Sequence, residues 1–261
     1  MSRRNKPVTI AIAGKGGTGK TTISGMLVDC LVSRNKGPLL VVDADANANL
    51  NEVLGVELPI TLGEIRENIA HADMQEPSPI PAGMDKQTYA EFMFESALYE
   101  SADYDMLAMG RTQGQGCYCY VNGVLKTQLE KYEGSYHYII VDNEAGLEHI
   151  SRGTLPSVDI MLLISDCSRR GIQAAGRIKQ MVSELRLNPS ILKLIVNRAP
   201  HGKLDAGISE EIARQELDLL GVLPQDDIVY SYDCAGRPSA QVPANAPIKL
   251  ALSPLIDALG L

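Results

Sequence analysis

Short, nearly unbroken apolar runs alternate along this chain with longer stretches whose apolar residues recur every three or four positions. The runs VTIAIAG (8–14), LLVVDAD (39–45), YIIVDNE (138–144), IMLLIS (160–165) and LKLIVN (192–197) are rich in Val, Ile and Leu. Runs of this kind, without polar alternation, mark strands buried on both faces, as in a parallel sheet covered by helices. DYDMLAM (103–109) is a candidate further strand. TTISGMLVDCLVSR (21–34) and SRRGIQAAGRIKQMVSEL (168–185) carry helical periodicity between the strands. Such alternation predicts an α/β fold with a doubly wound, mostly parallel sheet, here as one domain over 1–261. The stretch 56–101 is more polar, and three prolines in EPSPIPAGMD (76–85) exclude regular structure there. It is expected as an insertion on the ligand-facing rim.

The first predicted strand runs into GKGGTGKT (14–21), which fits G-x-x-x-x-G-K-[ST] in the strand–loop–helix setting the motif requires. Gly14, Gly16, Gly17 and Gly19 let the backbone curl so that its N–H groups point inward. Those donors, with the helix N-terminus, favour phosphate oxygens. Lys20 is expected at the β and γ phosphates of a nucleotide, and Thr21 at Mg²⁺. Thr18 and Thr22 complete the expected nucleotide-binding loop. The sequence is therefore expected to be a P-loop NTPase.

Lys15 departs from a plain phosphate loop. A lysine directly after the first glycine is the mark of the deviant Walker A motif, and the chain resembles the ATPases that carry it: the nitrogenase iron protein, the arsenite pump ATPase, and the MinD and ParA division and partition ATPases. The resemblance implies ATP hydrolysis to ADP and phosphate by a homodimer. In it Lys15 reaches the partner's nucleotide and neutralises charge on the transferred phosphoryl group, much as an arginine finger does. In VVDADANAN (41–49) the resemblance makes Asp45 the residue that orients the attacking water and Asp43 a support of the magnesium shell. In IIVDNEAG (139–146) Asp142 is the corresponding Mg²⁺ carboxylate and Gly146 the hinge of a switch. Family members often place prolines or a threonine where this chain has Asn143, Glu144 and Ala145, so this switch is expected to address a different partner. Asn197 in IVNR (195–198) is expected at the adenine edge, with Arg198 beside it. Pro224 in GVLPQDD (221–227) is expected in the wall of the same base pocket.

GQGCYCYVNG (114–123) holds Cys117 and Cys119 one residue apart between glycines. The pair reads either as incidental loop thiols or as half of a metal site. In an extended or turn geometry the two sulfurs can face one way, and a twofold axis would supply two more. Four soft thiolates suit Zn²⁺, Ni²⁺, Cu⁺ or an iron–sulfur cluster, and their number does not choose among these. The metal must displace protons from thiols of pKa about 8.5, so binding weakens at low pH. GRTQGQGCYCYVNGVL (110–125) and VDNEAGLEHISRG (141–153), together with the deviant Walker A loop, resemble the nickel-insertion ATPases of carbon monoxide dehydrogenase maturation, the CooC type. Their relatives that mature the acetyl-CoA synthase complex are similar. That resemblance implies that Cys117 and Cys119 bind Ni²⁺ across the dimer, with Zn²⁺ possible at the same site, and that the apo client enzyme is the partner. Cys30 is expected in the core, and Cys167 and Cys234 outside the metal site.

Composition narrows the alternatives. The formal net charge is −8 and the pI near 5.1, which disfavours nucleic acid and anionic lipid as partners. No apolar run of about 18 residues appears, and the start lacks the pattern of a signal peptide, so a cytoplasmic location is expected. Five cysteines, an odd count, argue against a disulfide framework. An iron–sulfur ATPase of the nitrogenase type stays open but draws its two cysteines from positions far apart. A MinD- or ParA-like positioning ATPase stays open as well, although the tail PIKLALSPLIDALGL (247–261) has one lysine and an internal proline.

Overall fold

A computed structural model describes residues 6–72, 78–111, 126–127, 134–144 and 157–261. Seven strands, β1 (Val8–Gly14), β2 (Leu39–Asp43), β3 (Tyr104–Ala108), β4 (Tyr138–Asp142), β5 (Ile160–Asp166), β6 (Ile191–Ala199) and β7 (Leu219–Pro224), form one sheet in the order β3-β2-β4-β1-β5-β6-β7. Every pairing is parallel. All C-terminal strand ends therefore share one rim, where ligands of open α/β sheets bind.

The strands alternate between two aliphatic layers, as a period of two requires. Leu40, Val42, Leu107, Val141, Leu163 and Val196 face one layer. They meet Ile65 and Ile69 of α3 (Leu62–His71), Tyr89 and Phe94 of α4 (Lys86–Ser96), Ile172 and Ile178 of α5 (Arg169–Glu184) and Ile212 of α6 (Ala206–Arg214). Ile10, Ile12, Val41, Ile140, Leu162 and Ile195 face the other layer, against Ile23, Leu27 and Leu31 of α1 (Lys20–Ser33) and Ile248, Leu252 and Ile256 of α8 (Pro247–Ala258). Two shorter α-helices are α2 (Leu50–Leu54) and α7 (Asp227–Cys234). The predicted doubly wound, mostly parallel sheet is thus present, and 103–109 supplies its edge strand.

The stretch 56–101, expected as a rim insertion, differs in its described part. It forms the crossover from β2 to β3, and α3 and α4 lie on the sheet with apolar faces in the core. Ile65 and Ile69 stand four apart, so one helix face carries both inward. Thr61 caps α3: its hydroxyl accepts the Glu64 N–H, and the Glu64 carboxylate accepts the Thr61 N–H, a reciprocal capping box. Residues 78–85 contain neither helix nor strand, as their prolines require.

Two strands end earlier than their apolar runs. β2 stops at Asp43 because its buried carboxylate turns the chain: Oδ1 accepts the Asp45 N–H at 3.0 Å and Oδ2 the Leu50 N–H at 2.9 Å. β4 stops at Asp142, and Asn143 folds back so that its N–H and its Nδ2 both donate to Ile12 O.

Candidate functional site

The phosphate loop lies between β1 and α1. Gly14 is packed so closely on β5 that a Cβ would stand 2.1 Å from Ile164 O. Gly17 (φ 80) and Gly19 (φ 90) take left-handed conformations that glycine adopts without steric penalty. Lys15, Gly16 and Gly17 are exposed, whereas Thr18 and Lys20 are buried. The Thr18 hydroxyl donates to Lys15 O at 2.9 Å, closing the loop on itself. Lys20 Nζ lies 3.5 Å from Lys15 O. Lys20, Thr21 and Thr22 form the first turn of α1, so the loop delivers its ligand to a helix N-terminus.

Two carboxylates sit under this loop. Asp43 and Asp142 are register partners across β2 and β4, and both are buried. Burial pushes the Asp43 carboxyl up to about 7, with the Asp142 charge adding to it against the N–H donors of Leu50 and Asp45. Burial also raises Asp142, to about 6, against hydrogen bonds from Thr21 and Ser24 and the charge of Lys20. Ser24 Oγ donates to Asp142 Oδ1 at 2.9 Å and stands one turn after Lys20, a contact that the sequence reading missed. Two buried carboxylates beside a hydroxyl make a hard-oxygen set suited to a divalent cation, whose charge would return both to the ionised form. Asp45 is half-buried in the turn after β2, with Oδ1 accepting both the N–H (2.8 Å) and the Nδ2 (3.1 Å) of Asn47.

Asn197 and Arg198 close the loop from the β6 side. Asn197 is buried and its Nδ2 donates to Thr18 O at 2.9 Å. Arg198 takes a left-handed conformation (φ 56) where β6 slips register against β7, and its Nη1 reaches Gly17 O at 3.0 Å. A cavity of about 590 Å³ opens beside them, walled by Thr22, Asn197, Arg198, Pro224, Gln225 and Tyr230 among others. It is large enough for a nucleotide base and ribose, and Thr22 links it to the phosphate loop. One buried residue shapes its far wall: Asp226 accepts the Ile228 N–H that starts α7 and the Ile248 N–H in the first turn of α8, each at 2.9 Å. One carboxylate thereby satisfies two helix N-termini.

A strand–loop–helix phosphate cradle, paired strand-end carboxylates and an adjoining base-sized cavity all lie on one rim. The model of the AAA domain family matches residues 7–193. The chain belongs to the AAA domain family. This ATPase is 39% identical over 238 residues to the ATP-binding protein MJ0685 of Methanocaldococcus jannaschii, covering 90% of this chain and 92% of that one. It is 30% identical over 247 residues to the carbon monoxide dehydrogenase accessory protein CooC of Rhodospirillum rubrum, covering 87% of each. Its fold matches the septum site-determining protein MinD of Pyrococcus horikoshii, solved with Mg-ADP, at a TM-score of 0.68 and 21% identity, over 97% of this chain and 96% of that one. The AAA domain ATPase is thus an ATP-binding P-loop protein of MinD/ParA-like fold.

The structure brings Gly14 to Thr22, Asp43, Asp45, Asp142, Asn197, Arg198 and Pro224 to one rim, as the sequence had grouped them. Cys117, Cys119 and Gly146 lie outside the described residues. Of the other cysteines, Cys30 is half-buried on α1, where burial pushes its thiol up; Cys167 is half-buried after β5, likewise raised by burial; Cys234 is exposed on α7. Among the described residues no three His, Cys, Asp or Glu side chains converge as metal ligands. The α3 capping box had a legible signal, Thr61 and Glu64 three apart before an apolar stripe. Ser24 had none, because Asp142 lies far along the chain; Asp226 stands two residues before the Ile228 N–H it caps, but its second partner, Ile248, lies 22 positions away.

Proposed function

We propose that this ATPase is a nickel-carrying maturation factor that uses ATP-driven dimerisation and hydrolysis to deliver Ni²⁺ to apo carbon monoxide dehydrogenase or the acetyl-CoA synthase complex. The observation that carries the proposal is the pair Cys117 and Cys119 in the chain that follows β3, in an ATPase 30% identical to the accessory protein CooC. One chain offers two thiols in this stretch; a second copy completes a four-sulfur set of the kind that soft divalent metals accept. Nickel is the cargo, and Zn²⁺ competes for the same sulfurs.

Each residue on the rim has a role in this reading. The phosphate loop from Gly14 to Thr22 binds ATP, with Lys20 on the β and γ phosphates. Thr21 and Asp142, supported by Asp43, suit Mg²⁺, which supplies charge neutralisation on the phosphates when bound. Asp45 orients the attacking water. Lys15, exposed at the head of the loop, acts on the partner's nucleotide. Asn197, Arg198 and Pro224 line the base cavity.

Metal analysis of protein prepared with and without ATP, with sedimentation of each state, tests the proposal. The expected result is one nickel per dimer, present only when nucleotide holds two copies together. Cys119→Ser should abolish tight metal binding and leave nucleotide binding to the monomer intact. A monomer that holds nickel tightly without nucleotide would overturn the reading. Lys15→Ala should lose hydrolysis far more than nucleotide affinity, and normal turnover in that variant would remove the trans-acting lysine.

The fold match to MinD supports a second reading, a positioning ATPase at a membrane surface. Two features weigh against it. The apolar residues Ile248, Leu252 and Ile256 of α8 are buried against the sheet, and Lys249 of the same helix pairs with Asp29 at 2.7 Å. Sedimentation with anionic liposomes in ATP separates the two readings.

A further inference from the structure

Beyond the residues assigned above, the turn after β2 carries a small polar network leading away from the nucleotide. Asp45 Oδ1 accepts two hydrogen bonds from Asn47, one from its N–H and one from its Nδ2. The same amide uses its oxygen to accept from Arg111 Nη2. An asparagine amide has one acceptor end and one donor end, and a guanidinium can only donate. Arg111 therefore fixes which way the Asn47 amide points, and so keeps the Nδ2 on Asp45.

Arg111 itself rests on a rigid frame. Met109 N–H donates to Asp43 O at 2.8 Å, and Gly63 N–H donates to Met109 O at 2.7 Å. A Cβ on Gly63 would overlap Arg111 O, and Gly110 turns the chain with φ 65. The Thr61–Glu64 capping box fixes the start of α3 against the same turn. The residue to be positioned is thus tied through two side chains to backbone held by β2 and α3, as a precise site requires.

We propose that Asn47 and Arg111 are positioning residues for ATP hydrolysis, holding the Asp45 carboxylate in the rotamer that orients the attacking water. The inference rests on the hydrolytic role given to Asp45 above. A carboxylate that orients water must be held to within a fraction of an ångström, since a misplacement of about 1 Å can cost roughly a hundredfold in rate. Asn47 and Arg111 are both exposed, so their loss should disturb the rate and leave the core intact.

The test is steady-state ATP hydrolysis by full-length Arg111→Met, Arg111→Lys, Asn47→Ala and the Arg111→Met/Asn47→Ala double variant, with binding of a fluorescent ADP analogue measured alongside. Each single truncation should lower kcat about tenfold with KM and ADP affinity within about twofold, the pattern of an interaction needed for the chemical step. The double variant should be no slower than the slower single, because both changes break one path. Arg111→Lys should regain part of the rate, since an ammonium still donates to the amide oxygen. Unchanged kcat in both truncations, a fall in kcat matched by lost ADP affinity, or a double variant about a hundredfold slow would each overturn the inference. Asp45→Asn separates the two claims. If it hydrolyses ATP at the wild-type rate, the role of Asp45 fails and the inference with it. If it is inactive while Arg111→Met is normal, the inference alone fails.

Discussion

Ser24→Ala isolates the buried hydrogen bond that supports Asp142. Both groups are buried, and the hydroxyl donates at 2.9 Å to a carboxylate that burial has already raised to about 6. A hydrogen bond to a charged group is worth about 1.5–3 kcal/mol, and one to a neutral group about 0.5–1.5 kcal/mol. The loss should therefore depend on whether Asp142 is ionised. In the nucleotide-free wild type a folded-state value above the ordinary one, 3.8, means that the native protein holds this proton longer than the unfolded chain. The stability linked to it is full below the ordinary value and falls as pH rises through about 6. Ser24 favours the ionised form, so removing it raises Asp142 further and extends that fall to higher pH. Urea unfolding without nucleotide or Mg²⁺ should show the variant destabilised by about 1 kcal/mol at pH 5 and by about 2 kcal/mol at pH 8. A difference that stays flat or narrows with rising pH would refute the coupling of Ser24 to the Asp142 charge.

Other substitutions test separate parts of the site. Gly19→Ala places a side chain at φ 90 with its Cβ 2.4 Å from Asn197 Nδ2, so ADP affinity measured by calorimetry should fall at least tenfold (roughly), with about 1–2 kcal/mol lost in stability. Asn197→Ala removes the tie to Thr18 O and should weaken ADP binding several-fold in the same assay while leaving the unfolding free energy within about 1 kcal/mol of wild type. Leu163→Ala, at a fully buried position in β5, should cost about 2–5 kcal/mol in urea unfolding through the cavity it leaves.

The fold was legible because its signals are local. Uninterrupted Val, Ile and Leu runs mark strands with no dry side facing water, and glycines before Lys20 mark a loop whose ligand is contacted by backbone. The strand ends were less legible, since the end of β2 depends on Asp43 accepting the N–H of Leu50, a contact that apolar patterning does not register. The core role of α3 and α4 was hidden by the polar average of 56–101, although Ile65 and Ile69 already had helical spacing. The pairing of Arg111 with Asn47 spans 64 positions, so no window of sequence contains it. Asp226 holds the starts of two helices, and the second contact, at Ile248, lies 22 positions away.

The placement of β3 at the margin of the sheet has an evolutionary consequence. β1, which leads into the phosphate loop, is flanked by β4 and β5, whereas among the described strands β3 has a single neighbour, β2. Changes in the polypeptide leaving β1 must satisfy two flanking strands at once; changes within β3 need satisfy one. A lineage built on this plan can vary the sheet's margin while the strands that carry the nucleotide loop stay as they were.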